Sequence, residues 1–230
     1  MKKQLISLGK FEVVSPVLRI SDPCYDKKTW CAGTVKKVKR GTWKAQVLKI
    51  DQEDNWGNRC RKLIAVHSSF NRSKVTIQKL NIDVGVDSGC AGIFDDKFYK
   101  KDFKHAVKLT GNCEYDQHGS LHRAKENLKM YQDIVDSLKK SDETADMTSF
   151  WEDKVEKYKA IIARGNKYDY SNAETSNKWY EVVCDPTFSD IGAGVISNGC
   201  ASRSGDGDGS YAAYAAYDRN GLVVGVKIIF

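Results

Sequence analysis

Three short segments concentrate side chains able to do chemistry: Ser21-Asp22-Pro23-Cys24-Tyr25, Val86-Asp87-Ser88-Gly89-Cys90-Ala91-Gly92 and Gly205-Asp206-Gly207-Asp208-Gly209-Ser210-Tyr211. In the third, glycines alternate with carboxylates, so the backbone can approach a ligand closely while Asp206 and Asp208 face it. If the segments converge, Asp22, Asp87 and Asp208 form an oxygen-rich set suited to a hard cation, Mg²⁺ or Ca²⁺, rather than to zinc. The same groups, with Cys24, Tyr25, Ser88, Asp206, Ser210 and Tyr211, equally suit a concave polar site for a small polar or anionic molecule or a protein. The competing reading is structural, since Gly and Asp are also the residues that tight turns select.

Spacing narrows the chemistry. An EF-hand counted from Asp206 would put Tyr211 where the loop needs glycine and Tyr217 where it needs a bidentate glutamate. Ser88 and Cys90 beside Asp87, with His67 or His105 as base, are the parts of a nucleophilic site. Yet Gly85 to Gly89 does not form the G-x-S-x-G elbow. His118 and His122 make no H-E-x-x-H, and the seven cysteines never fall in a C-x-x-C pair. An odd, scattered set of thiols predicts buried reduced cysteines, with neither a disulfide framework nor a zinc site.

The charge pattern offers another candidate. Between Lys27 and Lys49 the chain is basic at 27, 28, 36, 37, 39, 40, 44 and 49, with no acidic residue, and Trp30 and Trp43 are interleaved. Read as a hairpin turning at Gly41, this stretch would carry phosphates on Lys36, Lys37, Lys39 and Arg40 while Trp43 stacks on a base. No helix-turn-helix, RRM or basic-zipper signature accompanies it, and lysines also protect exposed strands from aggregation. The formal net charge of +7 favours anionic partners.

The elements that must position these residues follow from periodicity. β-favouring runs bounded by turn residues occur at Gln4 to Leu8, Phe11 to Val14, Thr34 to Val38, Thr42 to Ile50, Lys62 to His67 and Val75 to Ile77. They return at Trp179 to Val183, Gly194 to Ser197, Tyr211 to Tyr217 and Leu222 to Phe230. Between them Leu121, Ala124, Leu128, Tyr131, Val135 and Leu138 follow helical spacing, as do Trp151, Val155, Tyr158 and Ile162. Ser149 with Glu152 reads as a capping box and Gly165 as a C-terminal cap. The pattern predicts an α+β fold: one domain over 1–230, a β-rich antiparallel sheet or sandwich with a helical hairpin inserted at about 120–165. The hairpin either packs on its own domain or mediates an oligomer.

A 41% hydrophobic content is enough for a real core, and no apolar run approaches the roughly 20 residues of a membrane span. Lys10 and Glu12 interrupt the opening apolar segment before a signal peptide can form, which points to a cytoplasmic protein without membrane partners.

The Ser-Asp-Pro-Cys-Tyr start, the Val-Asp-Ser-Gly-Cys-Ala-Gly-Ile-Phe-Asp centre and the Gly-Asp-Gly-Ser-Tyr end resemble a family of bacteria and their viruses catalogued as a domain of unknown function, DUF4241-like. The resemblance covers the order of three motifs and singles out Asp22, Pro23, Cys24, Tyr25, Asp87, Ser88, Gly89, Gly92, Gly207, Asp208, Gly209, Ser210 and Tyr211. It implies a bacterial or phage origin and motifs that meet at one place, and it supplies no reaction. The leading expectation is therefore a binding module for a small molecule or a host protein. A metal-dependent phosphate-ester hydrolase comes second, and nucleic-acid binding through the basic stretch third.

Overall fold

The computed structural model describes residues 2–51, 58–109, 121–140, 145–164 and 175–230. His118, Gly165 and residues 141–144 lie outside them. The chain divides into two compact units, one of residues 1–111 with 174–230 and one of residues 112–173.

The first unit is antiparallel and β-rich. A six-stranded sheet contains β1 (Lys2–Val13), β4 (Gly41–Asp51), β5 (Asn58–His67), β6 (Thr76–Val86), β12 (Gly209–Tyr217) and β13 (Val223–Ile229), in the order β1-β4-β5-β13-β12-β6. A five-stranded sheet contains β2 (Val17–Ser21), β3 (Gly33–Lys36), β7 (Cys90–Asp95), β10 (Ala193–Ile196) and β11 (Gly199–Arg203), in the order β10-β11-β7-β2-β3. A small ladder joins β8 (Val107–Lys108) to β9 (Thr175–Ser176). Both ends of the chain enter the same sheets, because β13 pairs with β5 and β12 with β6.

Alternation decides which face of each strand is buried. In β4, Trp43, Ala45 and Val47 point inward, as do Leu63 and Ala65 on β5. Trp43, Ala45, Leu63 and Ala65 meet Leu18, Ile20, Val35, Ala91 and Ile93 from the other sheet in one core, and Val47 meets Ala193, so the two sheets form a sandwich. β7 is buried at every position, because its second face is covered too. There Phe94 packs with Tyr99, Trp179 and Val183, the latter two from the short helix α3 (Trp179–Cys184).

The second unit holds α1 (Leu121–Leu138) and α2 (Ala145–Arg164), which pack on each other. Val135, Val155 and Tyr158 are buried, and Tyr131 stacks on Trp151 at 5.5 Å between ring centroids. These are the faces that the helical spacing marks.

Three local expectations are corrected. The runs either side of Gly41 are not a hairpin: β3 pairs with β2, and β4 lies in the other sheet. Lys37 turns the chain at a φ of 58°, and residues 37–39 bond to Val223 on the way across. The packing reason is that Val35 and Val38 are both buried in the sandwich. Trp179–Val183 is helical rather than extended. Trp179, Val182 and Val183 share one helical face, and Asp102 Oδ1 accepts the Trp179 N–H at 2.9 Å, so tertiary contacts override β propensity in a run too short for periodicity to decide. Ser149 caps nothing, since α2 begins at Ala145; Glu152 pairs instead with Lys139 at 2.7 Å.

Candidate functional site

β2 delivers Asp22 into the interior, where it is fully buried. Its Oδ1 accepts the Cys24 N–H and the Ser88 hydroxyl, each at 2.7 Å. Its Oδ2 accepts the Asp87 and Ser88 N–H groups at 2.8 and 2.7 Å. A buried carboxylate taking four donors is compensated for its lost hydration. One side chain thereby clasps two loops that are more than sixty residues apart in sequence.

The third segment joins them. Asp208 Oδ1 accepts the Gly89 N–H at 3.0 Å, and Ser204 N–H donates to the Gly89 carbonyl at 2.9 Å. Asp206 does not face a common pocket; it binds Arg59 at 2.8 Å and also Arg61. Tyr211 donates its hydroxyl to the Gly207 carbonyl at 2.7 Å, and Ser210 is exposed. The close backbone approach for which these glycines are suited is to the protein itself. Gly205 has a φ of +70°, and a Cβ there would stand 2.2 Å from the Cys60 carbonyl oxygen. The three segments do come together, but the Asp22 carboxylate is turned inward as an acceptor. Among the described residues, no group of three or more His, Cys, Asp or Glu is placed to hold a metal ion.

From this clasp the loop 22–32 runs outward, fixed at many points. Tyr99 donates to the Tyr25 carbonyl at 2.7 Å, Lys100 Nζ to the Cys24 carbonyl at 2.9 Å and Arg19 to the Lys27 carbonyl at 2.9 Å. Lys27 Nζ reaches the Asp96 carbonyl at 2.6 Å, and the Cys31 carbonyl accepts the Gly85 N–H at 3.2 Å. Lys100 adopts a left-handed φ of 62°, and its ammonium lies 5.5 Å from the Trp179 ring centroid and 6.0 Å from that of Tyr180. A side chain in that strained region persists only where its contacts hold it. On this loop Trp30 is 89% exposed, against 55% for Leu5, the next most exposed large apolar side chain among the described residues.

The thiols around the clasp stay protonated at neutral pH. Burial, then the hydrogen bond and charge of Asp22, push the Cys24 thiol up to about 12. Burial, then the charges of its cysteine neighbours, push Cys184 up to about 12. A thiol so held is a poor nucleophile. Asp96 behaves oppositely: burial alone would raise it, but the hydrogen bonds from Arg19 and Lys27 outweigh that and hold it below the ordinary carboxylate range.

The remaining sequence candidates lie elsewhere. Cys90 is buried, with its sulfur 3.4 Å from the Thr187 hydroxyl. His67 bonds to Ser69 and the Arg40 carbonyl rather than to Ser88 or Cys90, and His105 is exposed. Trp43 cannot stack on a base. It is wholly buried and donates its indole N–H to the Lys39 carbonyl at 2.9 Å, because its inward position on β4 places it in the core. Lys36, Lys37 and Arg40 are exposed without it, and Lys39 Nζ donates to Ser69.

Residues that sequence reading passed over include Arg19, Asp95, Asp96, Tyr99 and Lys100. Asp95 is fully buried and accepts the Val14, Ser15 and Lys97 N–H groups, a second clasp at the far end of β7. The signal available was the pair of aspartates closing an apolar strand, Ile93-Phe94-Asp95-Asp96. No family model, curated protein or solved structure matches the chain. No helix among the described residues is long and apolar enough to cross a membrane.

Proposed function

We propose that the β-rich unit is a protein-binding module whose contact surface is the loop 22–32, with Trp30 as its anchor. The observation that carries this reading is a tryptophan left 89% exposed on a loop fixed by hydrogen bonds along its length. Leaving a large aromatic side chain in water forgoes roughly 1.5–3 kcal/mol of burial. A rigid loop loses little conformational freedom on association, so that burial free energy is retained in binding. Tryptophan is also among the residues that dominate interface energetics. Asp22, through its clasp, and Asp96, through Arg19 and Lys27, act as positioning groups, and Asp26 and Lys28 lie exposed beside the anchor as rim charges. On the bacterial or phage origin that the resemblance implies, a host protein is the partner to seek.

The test uses the full chain carrying a photo-crosslinking residue at exposed position 28, beside the intact Trp30, with the captured protein identified, purified and titrated against wild type by calorimetry. Trp30→Ala is expected to weaken that complex about 30-fold or more, with an unchanged melting temperature because the side chain is 89% exposed. A partner that binds Trp30→Ala as tightly as wild type would overturn the proposal. So would recovery of the same proteins from a chain crosslinked at Met130, on the helical unit.

A further inference from the structure

The outer face of the six-stranded sheet combines cations with an aromatic hollow. Ala213, Ala215, Val226 and Ile228 point into the sandwich, so Tyr214 and Lys227 point away from it. Tyr214 lies in register with Lys227 on one neighbouring strand and with Lys79 on the other. Lys227 Nζ lies 4.6 Å from the Tyr214 ring centroid. On β5 and β4 the same face carries Lys62, opposite Ile229, and Lys44, opposite Val66. Phe70 lies over Gly225, where a Cβ would come within 3.3 Å of its ring. Phe70 and Tyr214 are thus walls of one shallow apolar hollow, floored by Val66 and Gly225. Arg72 follows on the adjoining turn, and burial together with the charges of Lys62 and Arg72 lowers the pKa of Lys227. Across these rows the acidic residue is Asp83, at the β6 edge.

We propose that this face binds single-stranded nucleic acid, with a base stacked in the hollow against Tyr214 and Phe70 and the flanking phosphates on Lys62, Lys79, Lys227 and Arg72. Aromatic platforms within a cationic field are what sequence-tolerant binding of single strands requires. A negative backbone arriving here also relieves the mutual repulsion of cations crowded around Lys227. Six strands about 4.8 Å apart make a face on the order of 24 Å across. That is broader than the ~12 Å major groove of a duplex, so the face suits splayed bases rather than groove edges. The surface shares no residue with the loop 22–32, and the basic crossing at Lys36 to Arg40 adjoins it where Lys39 Nζ donates to Ser69, next to Phe70.

The test is fluorescence anisotropy of the full chain with a labelled oligothymidylate of about 15 nucleotides. Binding is expected at ~50 mM salt and should weaken steeply toward ~200 mM. Tyr214→Ala should weaken it at least about fivefold while Tyr214→Phe retains it. Tyr214 is half-buried, so exposed Lys79→Gln and Arg72→Gln provide variants with no folding liability, and combined they should flatten the salt dependence. Lys28→Gln, on the loop 22–32, should leave affinity unchanged. The proposal is overturned by absence of binding at low salt, by equal affinity for a duplex of the same length, or by indifference to Tyr214→Ala. Binding to phosphatidylserine vesicles but not to the oligonucleotide overturns it as well.

Discussion

Asp22 shows how one buried carboxylate substitutes for covalent connection. Removing it as Asp22→Ala leaves four hydrogen-bond donors without their acceptor, each costing up to about 1–3 kcal/mol where it stays unsatisfied. We expect a loss of at least about 3 kcal/mol in urea denaturation. Ser88→Ala removes one of the four and should lose about 1–1.5 kcal/mol. The Cys24 thiol gives an independent readout. Among the described cysteines it is the one that is not buried. With its pKa pushed up to about 12, its alkylation followed by peptide mass spectrometry should keep accelerating well above pH 9, instead of levelling off near the ordinary thiol value of about 8.5. A plateau below pH 9 would show that Asp22 and burial do not hold the proton.

At the scale of elements, the loop 22–32 and the 205–209 turn depend on different physics. Asp96 holds the loop through Arg19, at 2.7 Å, and Lys27, at 3.2 Å. Its folded pKa is depressed, so its contribution is complete above the unfolded value near ~3.9 and is lost as pH falls through the folded value. Wild type should therefore lose stability on acidification below about pH 4 more steeply than Asp96→Asn, as followed by melting temperature against pH. At the turn, Gly205→Ala sets a methyl group against the Cys60 carbonyl in a left-handed conformation, and should cost clearly more than about 1 kcal/mol. Glycine and aspartate at 205–208 were legible as a turn, and the turn is what they form. Their external partners were not legible, because Arg59 and Arg61 come from β5 and Gly89 from the turn between β6 and β7, which only the sheet order brings near.

At the scale of the whole molecule, the division into two units makes a separable prediction. Val107 pairs with Ser176 and Lys108 with Thr175, so the chain leaves the β-rich unit and returns to it at one ladder. Replacing residues 109–174 by an Asn-Gly turn of about two residues should close that ladder as a hairpin. The β-rich unit should then keep its denaturation midpoint and the affinity of its Trp30 surface. Collapse of the shortened chain into an unfolded state would show that the helical unit is required for the fold.

The sequence by itself determined the α+β class, the two helices and their apolar faces, and most strands of the six-stranded sheet, because those follow from periodicity within a few residues of chain. It also marked the three segments that meet at the clasp. Only the tertiary structure decided what those segments do there. A carboxylate's role depends on which donors surround it, and the Asp22 donors come from positions 24, 87 and 88, selected by packing of two sheets. Packing likewise buried Trp43 and left Trp30 in solvent, although both are tryptophans in one basic stretch. Residue type is local, whereas burial and partnership are long-range, so the first could be read along the chain and the second only across it.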